Sequence, residues 1–251
     1  MAKKKVSKYN LSDQVYDRIK KEILSGEWQD GQILPSENEL GNIYGVSRLT
    51  IRIALQKLNA LGLVKTRAGE GSFVTKFDVN KYLKELSSII VTSGTVHDVL
   101  EFRKLLEAQS IKLAIKNSSD EEFSDLENLC IKYFNMLSRI TAQSDSEEVE
   151  KIVEADYNIH FRICELSKNP LFALAFMAAQ DPIKQYLRIV LVSRINIYNE
   201  LLKIPHEEDK HLLLCRSLKT RNFEECHSIL LDMIDYSYLP QESQKTLVKP
   251  K

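Results

Sequence analysis

Apolar positions follow helical spacing through most of this chain, and the interruptions divide it into two parts. Leu11, Val15, Ile19 and Ile23 recur every four residues, which predicts a first helix with one buried face, ending near Ser25-Gly26. Pro35 blocks helix upstream of Ser36, and Ser36 with Glu39 three residues on is a capping-box pattern, so a short helix is expected over Ser36–Tyr44. Tyr44-Gly45-Val46 reads as a tight turn. Ser47 then caps a further helix whose Ile51, Leu55 and Leu58 face a core. The β-rich flanks Leu63–Thr66 and Ser72–Thr75 surround Ala68-Gly69-Glu70-Gly71, a hairpin signal.

Beyond Thr75–Asn80, the expected junction, the pattern is helical throughout. His97–Lys116 places Val99, Phe102, Leu106 and Leu113 on one side. Ser119 with Glu122 forms a second capping box and opens a helix to about Arg139, and Glu147–Ser167 forms the next. An apolar stretch runs from Pro170 to Leu202 with an expected break at Asp181-Pro182. Pro205–Thr220 and Phe223–Leu239 close the chain as an antiparallel pair joined by a short Arg-Asn turn. The expected fold is mainly α: a winged helix-turn-helix over residues 8–77 and an all-α bundle of six or seven helices over 78–245.

Composition sharpens this division. The chain has 251 residues, 43% hydrophobic and 28% charged, an ordinary globular balance. Seven of the eight glycines lie at or before Gly71, and five of the six prolines lie at or after Pro170. The net charge is zero, but residues 1–77 carry 13 Lys/Arg against 8 Asp/Glu while the remainder carries 22 against 27. The basic front is the natural place for phosphate contact. Cys130, Cys164, Cys215 and Cys226 have no CxxC spacing, and buried free thiols fit a reducing, cytoplasmic setting. The basic start MAKKKVSK is not followed by an apolar segment of signal-peptide length, and no run reaches the roughly 20 apolar residues of a membrane span. No membrane partner is therefore expected.

The helix opening at Ser47 is the expected recognition helix. Arg48 and Arg52 share a face opposite the Ile51/Leu55 core side. Arginine can bond guanine O6 and N7 with two N–H groups, and Thr50 can reach phosphate or a thymine methyl. Glycine at the hairpin tip lets backbone come close to the minor groove. The candidate DNA-binding residues are Ser36, Asn38, Ser47, Arg48, Thr50, Arg52, Arg67 and Gly69.

Over Leu11–Val74 the chain resembles the DNA-binding domain of the GntR family of bacterial transcription regulators. The residues that carry the resemblance are Leu34-Pro35-Ser36-Glu37, Glu39-Leu40, Gly45-Val46-Ser47-Arg48, Thr50, Arg52, Ala54-Leu55, Leu58, Gly62-Leu63, Gly69, Gly71 and Val74. The resemblance implies that Arg48, Thr50, Arg52 and Gly69 contact DNA. One departure stands out: the family usually has an operator-contacting arginine after PSE, and this chain has Asn38. Asparagine is shorter and suits adenine's N6/N7 edge, so an altered base preference or a lost contact follows.

The back of the chain resembles the FadR-type effector domain called FCD. The matching residues are Glu101-Phe102-Arg103, Glu107, Leu113-Ala114, Asp156, His160, Phe161, Asn169-Pro170-Leu171 and the terminal helix pair around His211. The resemblance implies a sensor and dimeriser. Many FCD domains hold a metal through residues matching Asp156, His160 and His211 and one further histidine, where this chain has Met233. The spacing of Asp156 and His160 puts both on one helical face, fit to hold one divalent ion. A thioether is a poor ligand for Zn, Ni or Mn, and Asp232 should point away on its helix. Two readings stay open. Three ligands plus water or effector hold an ion, or His160 and His211 are hydrogen-bonded interior histidines around a metal-free pocket for lipid-like ligands. Arg103 matches a pocket-facing position and suits a carboxylate, against a simple ion pair with Glu107. Arg188 and Arg194 are further candidates for an acidic effector or for interhelical pairing. His206 and His227 are expected at the surface.

These features describe a non-enzymatic, homodimeric regulator of a palindromic operator with half-sites about one helical turn apart. A small organic acid in the helical domain would tune DNA affinity, by altering the spacing of the two winged domains. A constitutive dimer that has lost its ligand is the alternative. A metal-dependent enzyme lacks a nucleophile or general base beside the cluster.

Overall fold

The computed structural model describes residues 10–79, 82–83, 96–141, 143–197 and 209–235. The basic N-terminal tail, His206 and the flanks expected over 198–208 and 236–239 lie outside the described residues, as does the side chain of Arg194. The chain divides into two compact units at Val79/Asn80.

In the first unit, α1 (Leu11–Leu24) and α2 (Glu37–Tyr44) both pack on α3 (Arg48–Ala60), followed by β1 (Val64–Arg67) and β2 (Gly71–Val74). Local chemistry sets each boundary. Asn10 caps α1, and Ser25 closes it. The box at Ser36 is complete: its hydroxyl accepts from the Glu39 N–H, and the Glu39 carboxylate accepts from the Ser36 N–H at 2.8 Å. Gly45 ends α2 in the left-handed region (φ 65°), where a side chain would be strained, and so makes the turn into α3 tight. Ile51, Ala54, Leu55 and Leu58 from α3 meet Val15 and Ile19 from α1 and Leu40 from α2. Leu11, expected on the buried face, is 56% exposed at the first position of α1, and Ser12 takes the buried place at that end of the helix. The buried line of α1 instead takes in Glu22, whose carboxylate accepts from Tyr44 Oη (2.6 Å) and Trp28 Nε1 (3.1 Å) and so ties α1 to the end of α2. The antiparallel strands pair Val64 with Val74 and Arg67 with Gly71.

The second unit is all helical among the described residues: α4 (Val96–Asn117), α5 (Asp120–Leu137), α6 (Ser146–Leu166), α7 (Pro170–Ala178), α8 (Gln180–Ile197), α9 (Lys210–Lys219) and α10 (Phe223–Ile234). Helix α6 is central, packing against α4, α5, α7 and α8, while α9 and α10 pair and close over α5 and α4. The Ser119/Glu122 box opens α5. The break expected at Asp181-Pro182 falls instead at Ala179. Pro182 stands in the first turn of α8, where its missing N–H removes no helical bond, so it helps start the helix rather than end one. Arg221, at φ 56°, makes the turn between α9 and α10.

Along α4 the buried line differs from the expected apolar one. Phe102, Leu106 and Leu113 are half-buried, whereas Arg103, Glu107 and Ser110 are fully enclosed. Charged residues take the innermost positions because they pair with one another and with α6. All four cysteines are buried thiols, with Cys130 and Cys215 in contact at 3.4 Å across α5 and α9.

Leu126, at 0% exposure on α5, should cost about 2–5 kcal/mol when replaced by alanine, whereas Leu105→Ala, at a position 71% exposed, should cost under about 0.5 kcal/mol. Urea unfolding of the two variants measures the contrast.

Candidate functional site

Two places bring chemistry-bearing side chains together. The first is the exposed face of α2, α3 and the β1–β2 tip. Ser47 caps α3, and its hydroxyl lies 2.8 Å from that of Thr50, so both polar groups sit at the helix start. Arg48 and Arg52 stand on the open side of α3, and Asn38 is exposed on α2. Both arginines converge on Glu37. Arg48 donates Nε to Glu37 Oε2 at 2.7 Å, and Arg52 donates Nε to Oε1 at 2.9 Å and Nη2 to Oε2 at 2.8 Å. Hydrogen bonds from Arg52 and then Arg48 hold the Glu37 carboxyl down at about 2. At the wing, Arg67 lies over the Phe73 ring and pairs with Glu70 at 3.1 Å, while Gly69 turns the tip at φ 78°. Glu37 was not among the DNA-contacting residues expected from sequence, because its meeting with the arginine pair depends on how α2 packs on α3.

The second place is buried inside the helical unit. Glu107, at 0% exposure on α4, accepts from Arg103 Nε at 2.7 Å, and its other oxygen lies 2.5 Å from His160 Nδ1 on α6. That leaves His160 Nε2 facing Asp156 Oδ1 at 3.4 Å, one turn earlier on the same helix. His211, near the start of α9, turns Nε2 toward Asp156 Oδ2 at 3.9 Å, while its Nδ1 lies 3.6 Å from Asp209 Oδ1. Asp209 in turn caps α9 by accepting from the His211 and Leu212 N–H groups. One ligand-type atom from each of Asp156, His160 and His211 lies within 4.8 Å of the others.

Three atoms in and beside this cluster are buried with no hydrogen-bond partner: Asp156 Oδ1, His211 Nε2 and Arg103 Nη2. Polar atoms in that state are costly unless something satisfies them. Each histidine has a carboxylate beside Nδ1, the arrangement that fixes the ring and presents Nε2 to a metal. The donor set therefore fits a divalent ion. It also carries strong charge coupling. Burial opposes ionisation of His160, but Glu107 and Asp156 outweigh it and raise its pKa. Burial likewise opposes the Asp156 charge, and His160, His211 and Arg103 overcome it to lower that pKa.

Other candidates fall outside the cluster. Arg188 pairs with Glu150 across α8 and α6, Nη2 to Oε2 at 2.6 Å, which is interhelical pairing rather than a free ligand contact. Asp232 is exposed and pairs with Lys210 at 2.7 Å. Met233 is half-buried against the core of α10. His227, expected at the surface, is half-buried and stacks on Phe223 with ring centroids 5.6 Å apart. Asp209 had no sequence signal beyond its place before a helix.

A helix-turn-helix with exposed arginines, joined to a helical unit with a buried acid–imidazole cluster, defines the class of ligand-sensing DNA-binding regulators. Residues 11–74 match the family described as "Bacterial regulatory proteins, gntR family", and residues 98–235 match the FCD domain. The chain belongs to the GntR family, in the branch that carries an FCD domain, and it is a DNA-binding transcriptional regulator. It is 26% identical over 185 residues to the transcriptional repressor NanR of Klebsiella aerogenes, covering 72% of this chain and 68% of that protein. It is 33% identical over 150 residues to the transcriptional regulator LutR of Bacillus subtilis, covering 59% of this chain and 64% of that one. The fold matches that of a Streptococcus agalactiae GntR protein at a TM-score of 0.61, with 22% identity, over 89% of this chain and 96% of that chain. Among the described residues no helix is long and apolar enough to cross a membrane.

In chelator-treated protein, His160 should titrate above the ordinary histidine range, and Glu107→Gln should bring it down, as read from the imidazole proton NMR signals. Because the folded pKa is raised, the protonated ring contributes stability that is complete below the unfolded value near 6.5 and is lost as pH rises through the folded value.

Proposed function

We propose that the protein is a cytoplasmic, homodimeric regulator that binds a palindromic operator and is controlled by a small organic acid held beside one divalent ion. The ion is Zn, Ni or Mn, and Asp156, His160 and His211 hold it. The observation that carries this reading is the pair of orphaned buried atoms, Asp156 Oδ1 and His211 Nε2, in a cluster whose other histidine nitrogens already face carboxylates. A bound ion supplies a positive centre that can take a carboxylate oxygen of the effector. Arg103 supplies a second anchor: Glu107 holds its Nε and leaves Nη2 as a buried donor for an acidic ligand. Glu107 and Asp209 are the positioning residues, each acting through a histidine. Ligand binding to the native state shifts its stability and, through the dimer, its DNA affinity, a coupling of about 1–3 kcal/mol.

On the DNA side, Arg48 and Arg52 read bases in the major groove, Ser36, Ser47 and Thr50 position the helix starts, and Arg67 with Gly69 brings the wing to the neighbouring groove. Asn38 replaces a long cation with a short amide on the exposed face of α2.

Met233 supports a second reading. With no histidine at the fourth ligand position, the internal chain of charges from Arg103 through Glu107 and His160 to Asp156 is complete enough to serve a metal-free pocket. Elemental mass spectrometry of untagged protein purified without chelator separates the two. About one Zn, Ni or Mn per chain is expected, lost in His160→Ala and His211→Ala. A protein that holds no metal and takes up none of the three ions when they are added sinks the metal reading. Metal affinity should also rise with pH, since the ion must displace the proton that Asp156 and Glu107 favour on His160.

Binding-site selection on randomised duplexes tests the other half. Asn38→Arg should change the base preferred at one position of each half-site, by a discrimination of about 1–3 kcal/mol. An identical selected sequence from both proteins removes Asn38 from the readout.

A further inference from the structure

The Glu37 contact has the geometry of a device rather than of a stray surface ion pair. One carboxylate, at the first position of α2, takes three hydrogen bonds from two arginines of α3. Arg52 engages it fork to fork, through Nε and Nη2. Arg48 engages it through Nε, and its side chain is 61% exposed, which leaves it open to an external acceptor. A bidentate guanine contact needs a pair of coplanar N–H donors held in one orientation. A free arginine side chain samples many orientations and loses that freedom on binding. Here three hydrogen bonds to one carboxylate restrict both side chains before DNA is met. The same carboxylate offsets the positive charge that would otherwise attract any phosphate, and attraction to phosphate supplies nearly all non-specific binding. At the wing, Arg67 likewise has an acidic neighbour, pairing with Glu70 at 3.1 Å through one bond.

We propose that Glu37 is a specificity-determining residue: it holds Arg48 and Arg52 as a fixed pair so that they engage base edges and discriminate against bare DNA backbone. This rests on the reading of α3 as the recognition helix. Glu37 stays ionised throughout the physiological range, since the arginines hold its carboxyl near 2.

The test uses the full chain and two labelled duplexes of equal length: the sequence recovered by selection with the wild-type protein, and a scrambled version. Fluorescence anisotropy gives both affinities over a salt series for the wild type, Glu37→Gln and Glu37→Asp. For Glu37→Gln, scrambled-duplex affinity should rise about three- to tenfold at low salt, with a salt slope steeper by about one, while the operator gains less. The operator-to-scrambled ratio should fall about tenfold or more. Glu37→Asp keeps the charge and the helix start but shortens the arm, so it should keep the wild-type salt slope and still lose ratio. Thermal midpoints should stay at the wild-type value. A wild-type ratio in either variant overturns the proposal, as does an equal rise on both duplexes in Glu37→Gln, which would make Glu37 a mere subtraction of charge. If Glu37→Gln does not fold, Glu37→Asp decides alone. Failure of the wild type to recover any sequence strikes the recognition-helix reading instead, so the two failures are distinct.

Discussion

A carboxylate with no exposure to water, Glu107, is the constraint around which the helical unit is organised. Removing a charge that size from water costs several kcal/mol unless partners replace the solvent. Arg103 one turn earlier on α4 replaces part of it, and His160 on α6 the rest. The consequence is directional. With Nδ1 spoken for, the His160 ring has one orientation, and its Nε2 must face Asp156. A buried polar chain of this kind fixes the register of α4 against α6, which apolar packing alone would leave looser. Breaking it by removing one partner would strand a charge, so the helices cannot slide past each other without losing the site.

The histidines reach the same state by different routes. His160 lies mid-helix and takes its orienting carboxylate from a neighbouring helix. His211 stands in the first turn of α9, and Asp209, the cap of that same helix, lies beside its Nδ1. One side chain thus sets both the helix start and the ring next to it. Asp156, drawn toward both rings, stays ionised despite burial. The charges alternate along the cluster, from Glu107 through His160 and Asp156 to His211.

How far the sequence disclosed this depends on how local the cause is. Ser36 with Glu39 and Ser119 with Glu122 announce their helices because both halves of each box lie within one turn. The Ile51, Leu55 and Leu58 face of α3 follows from period alone. Pro182 misled by three residues, since proline ends a helix or begins one according to neighbours the pattern does not specify. Along α4 the apolar rule pointed to Phe102 and Leu106, yet Arg103 and Glu107 lie deeper. Periodicity ranks residues by hydropathy and cannot see that a paired charge may be buried. Asp156, His160 and His211 were legible through spacing and family resemblance. The Asp209 and Glu37 contacts were not, because each depends on a meeting set by tertiary packing.

The two units handle arginine in opposite ways. In α4, Arg103 is sealed from water, pairs with the buried Glu107, and keeps one buried Nη2 with no hydrogen-bond partner. On α3, Arg48 and Arg52 are 61% and 46% exposed, and a surface ion pair of that kind is worth little to stability. Glu37 therefore earns no place by holding the fold together. Its three bonds change what the arginines do next: they narrow the range of acceptors the guanidinium groups can meet, favouring one that offers two acceptors in a plane over a mobile phosphate. A carboxylate in a DNA-binding face looks like a liability if affinity is the aim. It becomes an asset when the protein must leave the many wrong sites quickly, because discrimination depends on the difference between two affinities rather than on either one.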